Sequence, residues 1–211
     1  MKRLLVLLST ILVYALSPAP AAAQGISLGA KLGLNVADLG GDDGDADSRT
    51  GFAGGAQLVY QFNEWFALQP EVFYAEKGAK PRWLDDTTLK LNYMEVPILA
   101  RVNLPMASAS SLQPHLYAGP AFSFRLSCRA AFDEDDEEID CDDIPGEPFR
   151  AKDNDVGLVL GGGLDFLMAR GAFTIEGRYT MGLNSIDDTG GDFDVKNRAF
   201  TVLVGLSVPL L

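Results

Sequence analysis

Basic residues are scarce in this chain. Its 211 residues hold 17 Lys and Arg against 29 Asp and Glu, a formal charge of -12. A chain this acidic is a poor partner for nucleic acid, which needs clustered Lys and Arg. Histidine is nearly absent, with His115 alone. Cysteine is limited to Cys128 and Cys141, so no Cys/His ligand set for a metal can be assembled. Beyond the first two dozen residues no window approaches 18 consecutive apolar residues, which leaves no candidate membrane helix there. The triplet Gly161-Gly162-Gly163 is not followed by a helix pattern or by Gly-Lys-Ser/Thr, so it is no phosphate cradle. No Ser-His-Asp arrangement can be built around His115, and an enzyme is not expected. No cofactor is expected either.

The N-terminus carries an export pattern. Lys2 and Arg3 precede the apolar run Leu4 to Leu16, and Pro18-Ala19-Pro20-Ala21-Ala22-Ala23 follows. A basic start, a short apolar run and a small-residue end predict a signal peptide over 1–23, cut between Ala23 and Gln24. The mature domain is then 24–211. Losing Lys2 and Arg3 takes the formal charge from -12 to -14. In an exported protein the pair Cys128 and Cys141 suggests a disulfide.

What is abundant is alternation. In Phe200 to Leu211 the even positions Phe200, Val202, Val204, Leu206, Val208 and Leu210 are large and apolar, while Thr201, Gly205 and Ser207 are small or hydroxylated. A period of two is a strand signal. Seven further segments repeat it: 26–36, 51–62, 65–77, 88–104, 112–126, 155–168 and 172–184. In each, one face is continuously apolar and the other holds glycine, amides or charges. That pattern suits strands whose apolar face meets lipid. The expected fold is all-β: an eight-stranded antiparallel up-and-down transmembrane β-barrel. Its connections alternate in length. Residues 63–64, 105–111 and 169–171 are short, as periplasmic turns are; 38–50, 78–87, 127–154 and 185–196 are longer and polar, as external loops are. Pro70, Pro97, Pro120 and Pro209 fall inside strands and imply bulges or local breaks in pairing.

The face opposite the apolar one carries Lys31, Arg101, Arg125 and Arg178 together with Glu71, Glu95, Asp165 and Glu176. A small barrel has an interior just wide enough for side chains, and charges there must pair. This predicts an interior charge network and a plugged barrel. Aromatic belts are expected at the two interfaces: Phe62, Trp65, Phe66, Phe166 and Phe173 near the short turns, and Phe52, Tyr74, Tyr93, Phe124, Tyr179 and Phe200 toward the other end.

Several stretches resemble a known family. Leu68-Gln69-Pro70-Glu71-Val72-Phe73-Tyr74-Ala75-Glu76-Lys77-Gly78, then Tyr93-Met94-Glu95-Val96-Pro97-Ile98-Leu99-Ala100, are similar to the PorT-like outer-membrane β-barrel domain. Tyr117-Ala118-Gly119-Pro120, Gly161-Gly162-Gly163-Leu164-Asp165 and Arg178-Tyr179 with Gly182-Leu183 look like its later strands. The resemblance covers nearly all of the mature chain and implies an eight-stranded outer-membrane barrel. It implies no single activity; the namesake is tied to secretion and gliding. The chain departs at Leu210-Leu211, where many barrels end on an aromatic.

The loops add two acidic motifs. Asp133-Glu134-Asp135-Asp136-Glu137-Glu138, with Asp140, Asp142 and Asp143, reads first as a solvated, self-repelling loop. Weak divalent-cation binding by such carboxylates is its ligand reading. Asp43-Gly44-Asp45-Ala46-Asp47 has the opening spacing of a calcium loop but lacks its Gly and closing Glu. Together these features predict a non-enzymatic protein of the cell outer membrane, structural, adhesive or secretion-accessory, presenting acidic external loops. Its expected partners are outer-membrane lipids and the barrel-insertion machinery. The alternatives are a small outer-membrane channel and a soluble exported barrel binding a lipid-like ligand.

Overall fold

The computed structural model describes residues 25–41, 46–81, 87–106, 111–132, 138–141, 152–186 and 195–210. The signal peptide with its Ala23–Gln24 cut, most of the acidic stretch 133–143 and most of the calcium-like motif lie outside these residues. Nine strands are described: β1 (Gly25–Gly41), β2 (Ala46–Gln61), β3 (Phe66–Pro81), β4 (Thr87–Asn103), β5 (Leu112–Phe132), β6 (Glu138–Asp140), β7 (Asn154–Met168), β8 (Gly171–Gly182) and β9 (Val195–Pro209). Eight of them close into an antiparallel barrel. β1 pairs with β2 and β9, and the ring runs on through β3, β4, β5, β7 and β8. Closure leaves no free edge in the barrel wall, a requirement for strands in lipid. The short β6 hangs on the outer extension of β5.

The orientation of the two faces follows the alternation. Leu32, Leu34, Leu116, Leu126, Val202 and Leu206 point outward and are about half exposed or more. Lys31, Glu71, Glu176 and Arg178 point inward and are buried. Such an apolar perimeter would be unstable in water and is matched to the hydrocarbon layer. This overturns the soluble alternative, which needs the apolar face inside.

Three short connections stand at one end, between β2 and β3, β4 and β5, and β7 and β8. The other connections leave from the opposite end; those after β5 and β8 are long, whereas strand extension shortens those after β1 and β3 to 42–45 and 82–86, within the range of the turn-end links. The strands run further into the loops than the alternation indicated: β1 reaches Gly41 and β5 reaches Phe132. Pro70, Pro97 and Pro120 interrupt pairing without shifting it, whereas Pro209 ends β9 and still pairs with Ser27. Pro70 still faces Ile98 and Phe73 faces Glu95 in one register, with the rungs between them missing; Pro97–Ala121 and Ala100–Ala118 behave alike.

A real slip occurs elsewhere. Asn92 pairs with Ser127 but Tyr93 with Arg125, so β5 carries an extra residue near Leu126. A bulge of this kind reverses which side chains face inward beyond it. Before it the odd residues Tyr117, Ala121 and Ser123 are buried; after it Cys128 and Ala130 are. A second shift lies between Ser48 and Ala53 of β2.

Candidate functional site in the barrel lumen

The lumen is filled in layers. In the lower middle, Lys31 Nζ donates to Glu71 Oε1 at 2.8 Å and to Glu176 Oε2 at 2.6 Å. Arg178 Nη1 donates to Glu71 Oε2 at 2.7 Å. Since β3 and β8 are diametrically opposite in the ring, that last bond spans the barrel. Tyr117 Oη donates to Glu176 at 3.2 Å, and His115 Nε2 lies 3.3 Å from the same carboxylate. Arg101 pairs with Asp165, and also donates to Asn103 at 2.9 Å and Gln69 at 3.2 Å. Thr174 donates to the other oxygen of Asp165 at 2.6 Å. Three cations, Lys31, Arg101 and Arg178, thus meet three carboxylates, Glu71, Asp165 and Glu176.

Glycine on β7 makes this layer possible. A Cβ on Gly161 would come within 2.6 Å of the Tyr117 ring and 2.8 Å of Arg178 Cβ. One on Gly163 would meet Glu176 Cγ at 2.7 Å. Inward-facing glycines across from bulky polar side chains leave the width those side chains need.

Above that layer the charges continue. Arg178 lies 4.3 Å from the Phe73 ring centroid, a buried cation–π contact. Lys77 Nζ pairs with Glu95 at 2.5 Å and stands over Tyr93 at 5.4 Å. Asn197 donates to Tyr93 Oη at 3.3 Å and to Asp155 at 2.9 Å. β9 and β4 are again opposite strands, so the lumen is crossed at a second level.

The outer mouth is closed by apolar groups. Ala79, Leu89, Leu91, Cys128, Ala130, Cys141 and Ile186 form a buried cluster with Tyr93, against which Phe132, Ile139 and Val195 pack. Cys128 and Cys141 are disulfide-bonded, with Cα atoms 5.5 Å apart. The bridge closes a loop of sequence separation 13, worth roughly 3 kcal/mol in the chain-entropy account. Ile186 ties in through backbone bonds to Val195 and Lys152, each 2.8 Å. On the exposed side of this mouth, Glu138 accepts from Lys90 at 2.6 Å and Arg129 at 3.1 Å. These bonds, that from Lys90 foremost, hold its carboxyl below the usual range.

The opposite end is open. A vestibule of about 490 Å³ lies at the short-turn end, with the Arg101–Asp165 pair at its floor.

Seven of the eight charges expected inside are therefore buried: Lys31, Glu71, Glu95, Arg101, Asp165, Glu176 and Arg178. Arg125 is half-buried and differs only in its partner. It stands beside the β5 bulge and pairs at 2.8 Å with the exposed Asp153, apart from the others. Tyr93 is a correction: it lies in the lumen, fully buried, and not in an interfacial belt. Its odd position on β4 matches inward Glu95, which was the available signal. Lys77 and His115 belong to the buried set and were not assigned to it from sequence. Lys77 shares the phase of Glu71 on β3 and could have been found that way. Among the described residues no group of three or more His, Cys, Asp or Glu is placed to hold a metal ion.

A closed antiparallel barrel, apolar outside and ionised within, defines a small integral outer-membrane protein. The family comparison agrees: residues 21–188 match the model described as outer membrane protein beta-barrel domain. The chain belongs to that family. Among solved structures it is similar to Neisserial surface protein A, at 18% identity over 88% of this chain and 97% of that one, with a TM-score of 0.51. It is also similar to OprG from Pseudomonas aeruginosa, at 13% identity over 89% and 97%, with a TM-score of 0.54. At these identities the likeness is one of fold. No protein of curated function matches in sequence.

Proposed function

We propose that the chain is a non-enzymatic outer-membrane barrel that holds acidic loops at the cell surface, in a structural or adhesive role. The observation that carries this reading is the filled lumen. Contacts between opposite strands cross it at two levels, and a disulfide-stapled apolar cluster closes the outer mouth. What such a barrel offers outside is its loops, and their composition is acidic. Residues 1–23 serve as the export signal, cut before Gln24. Within the family, the PorT-like motifs around Glu71, Glu95 and Arg178 support placing the chain in that branch, with a secretion-accessory role as the variant reading. The acidic stretch 133–143 takes divalent cations only weakly, through its clustered carboxylates.

The test has two arms. Purified protein reconstituted in a planar bilayer should give no conductance steps; stable steps would favour the channel reading instead. Cells displaying the barrel should lose attachment to a cationic surface when residues 133–138 are changed to Asn and Gln. Unchanged attachment would remove the adhesive role.

A further inference from the structure

At the end of the barrel away from the loops, we infer that the vestibule is a binding site for a neutral polyhydroxylated ligand, a small saccharide reaching it from the periplasm. Its volume of about 490 Å³ falls within the ~300–1,000 Å³ of small-molecule sites. The chemistry of its wall favours an uncharged ligand over an ion. The cation at its floor is already engaged. Arg101 spends Nε on Asn103, Nη1 on Gln69 and Nη2 on Asp165, and the Asp165 carboxylate balances its charge, so the floor offers little net attraction to an anion. Asp165 is engaged by Arg101 and Thr174, so the floor offers little to a cation.

The rest of the wall is mostly uncharged: Glu64 is its one further carboxylate, and Val59, Leu104, Met106 and Leu167 give it apolar patches. Gln57, Gln61, Asn103 and Gln113 line the space, with the hydroxyls of Ser27, Thr174 and Ser207. Two of the amides are oriented by their neighbours. Gln61 Nε2 donates to Asn63 O at 2.5 Å and Gln113 Nε2 to Leu104 O at 2.7 Å, which leaves each Oε1 as an acceptor. The third amide gives the independent sign of a missing partner. Gln57 is only 3% exposed, and its Oε1 has no hydrogen-bond partner. A buried unpaired acceptor is costly, and rotation of the Gln57 side chain toward the vestibule lets a ligand hydroxyl relieve it. Trp65 lines the cavity as well, giving the apolar face of a sugar ring a surface to stack on. Amides that hydrogen-bond hydroxyls, beside one aromatic face, are complementary to a sugar.

Trp65 also reports the event. With Trp83→Phe in the background, it is the only tryptophan of the chain. The folded, detergent-solubilised barrel is titrated with N,N′-diacetylchitobiose and with maltose, following Trp65 emission. A saturable change with at least one sugar is expected. It should weaken tenfold or more in Gln57→Leu, and likewise in Ser207→Phe, which fills the cavity. Heat-modifiable migration in gels confirms that each variant is folded, and either variant suffices alone. Absence of saturation with both sugars overturns the inference. So does an equal response in the folded variants, or a response to spermidine or citrate in place of sugar.

Discussion

The bond that spans the barrel gives the sharpest test of how its interior is stabilised. Arg178→Met keeps much of the side chain's length and removes its charge. Glu71 then keeps Lys31 at 2.8 Å and Gln69 at 2.9 Å but loses the guanidinium at 2.7 Å. The buried layer changes from three cations and three carboxylates to an excess of one negative charge. Removing one member of a buried pair costs about 3–5 kcal/mol, because the survivor is left uncompensated. The stack on Phe73 at 4.3 Å adds up to about 2 kcal/mol when desolvated. Glu71→Gln combined with Arg178→Met restores the balance. The double variant should therefore be more stable than the sum of the single changes implies, with a coupling of about 2–3 kcal/mol. The assay is reversible urea unfolding in lipid vesicles, read by tryptophan emission and by heat-modifiable migration, on wild type, both single variants and the double. A cost below about 1 kcal/mol for Arg178→Met, or strict additivity, would refute the reasoning. The lumen would then be stabilised by packing alone.

Three further outcomes are expected. Gly161→Val should prevent folding or lower the refolding yield several-fold, since its Cβ would strike the Tyr117 ring; Gly177→Ala, whose Cβ meets only Phe200 at 3.8 Å, should change stability by less than about 0.5 kcal/mol. Val202→Arg, at mid-strand on the lipid face and 47% exposed, should cost about 2–4 kcal/mol in vesicle unfolding, whereas Val202→Leu should cost almost nothing. The Glu138 carboxyl is depressed by Lys90 and Arg129, so its bonds are in place above the ordinary glutamate pKa of about 4.3 and are lost as pH falls through the lower folded value. Protease cleavage near β6 should accordingly rise on acidification below about pH 4, and Glu138→Gln should flatten that rise.

How much of this could be read from the chain depends on the range of the interaction. Whether a side chain faces lipid or lumen is set by its parity along one strand. Leu34, Val202 and Leu206 outside, and Lys31, Glu71 and Glu176 inside, are local facts of that kind. The sorting of short and long connections is local too, and so is the closeness in sequence that allows Cys128 to reach Cys141. Parity fails where a bulge inserts a residue. Beyond Leu126 the inward set of β5 changes from odd to even, which leaves Arg125 at the edge of the network and brings Cys128 under the outer cluster. The alternation carries no mark of that insertion, because both phases there include apolar residues.

Which charges become partners was settled only by closure. Glu71 and Arg178 are 107 residues apart, and Tyr93 and Asn197 are 104 apart. They meet because β3 faces β8, and β4 faces β9, across a ring of eight strands at one register. Composition supplied charges of both signs and the period of two supplied their side of the wall. The choice among partners required the stagger of the strands around the barrel, a property of the closed sheet that no single segment contains.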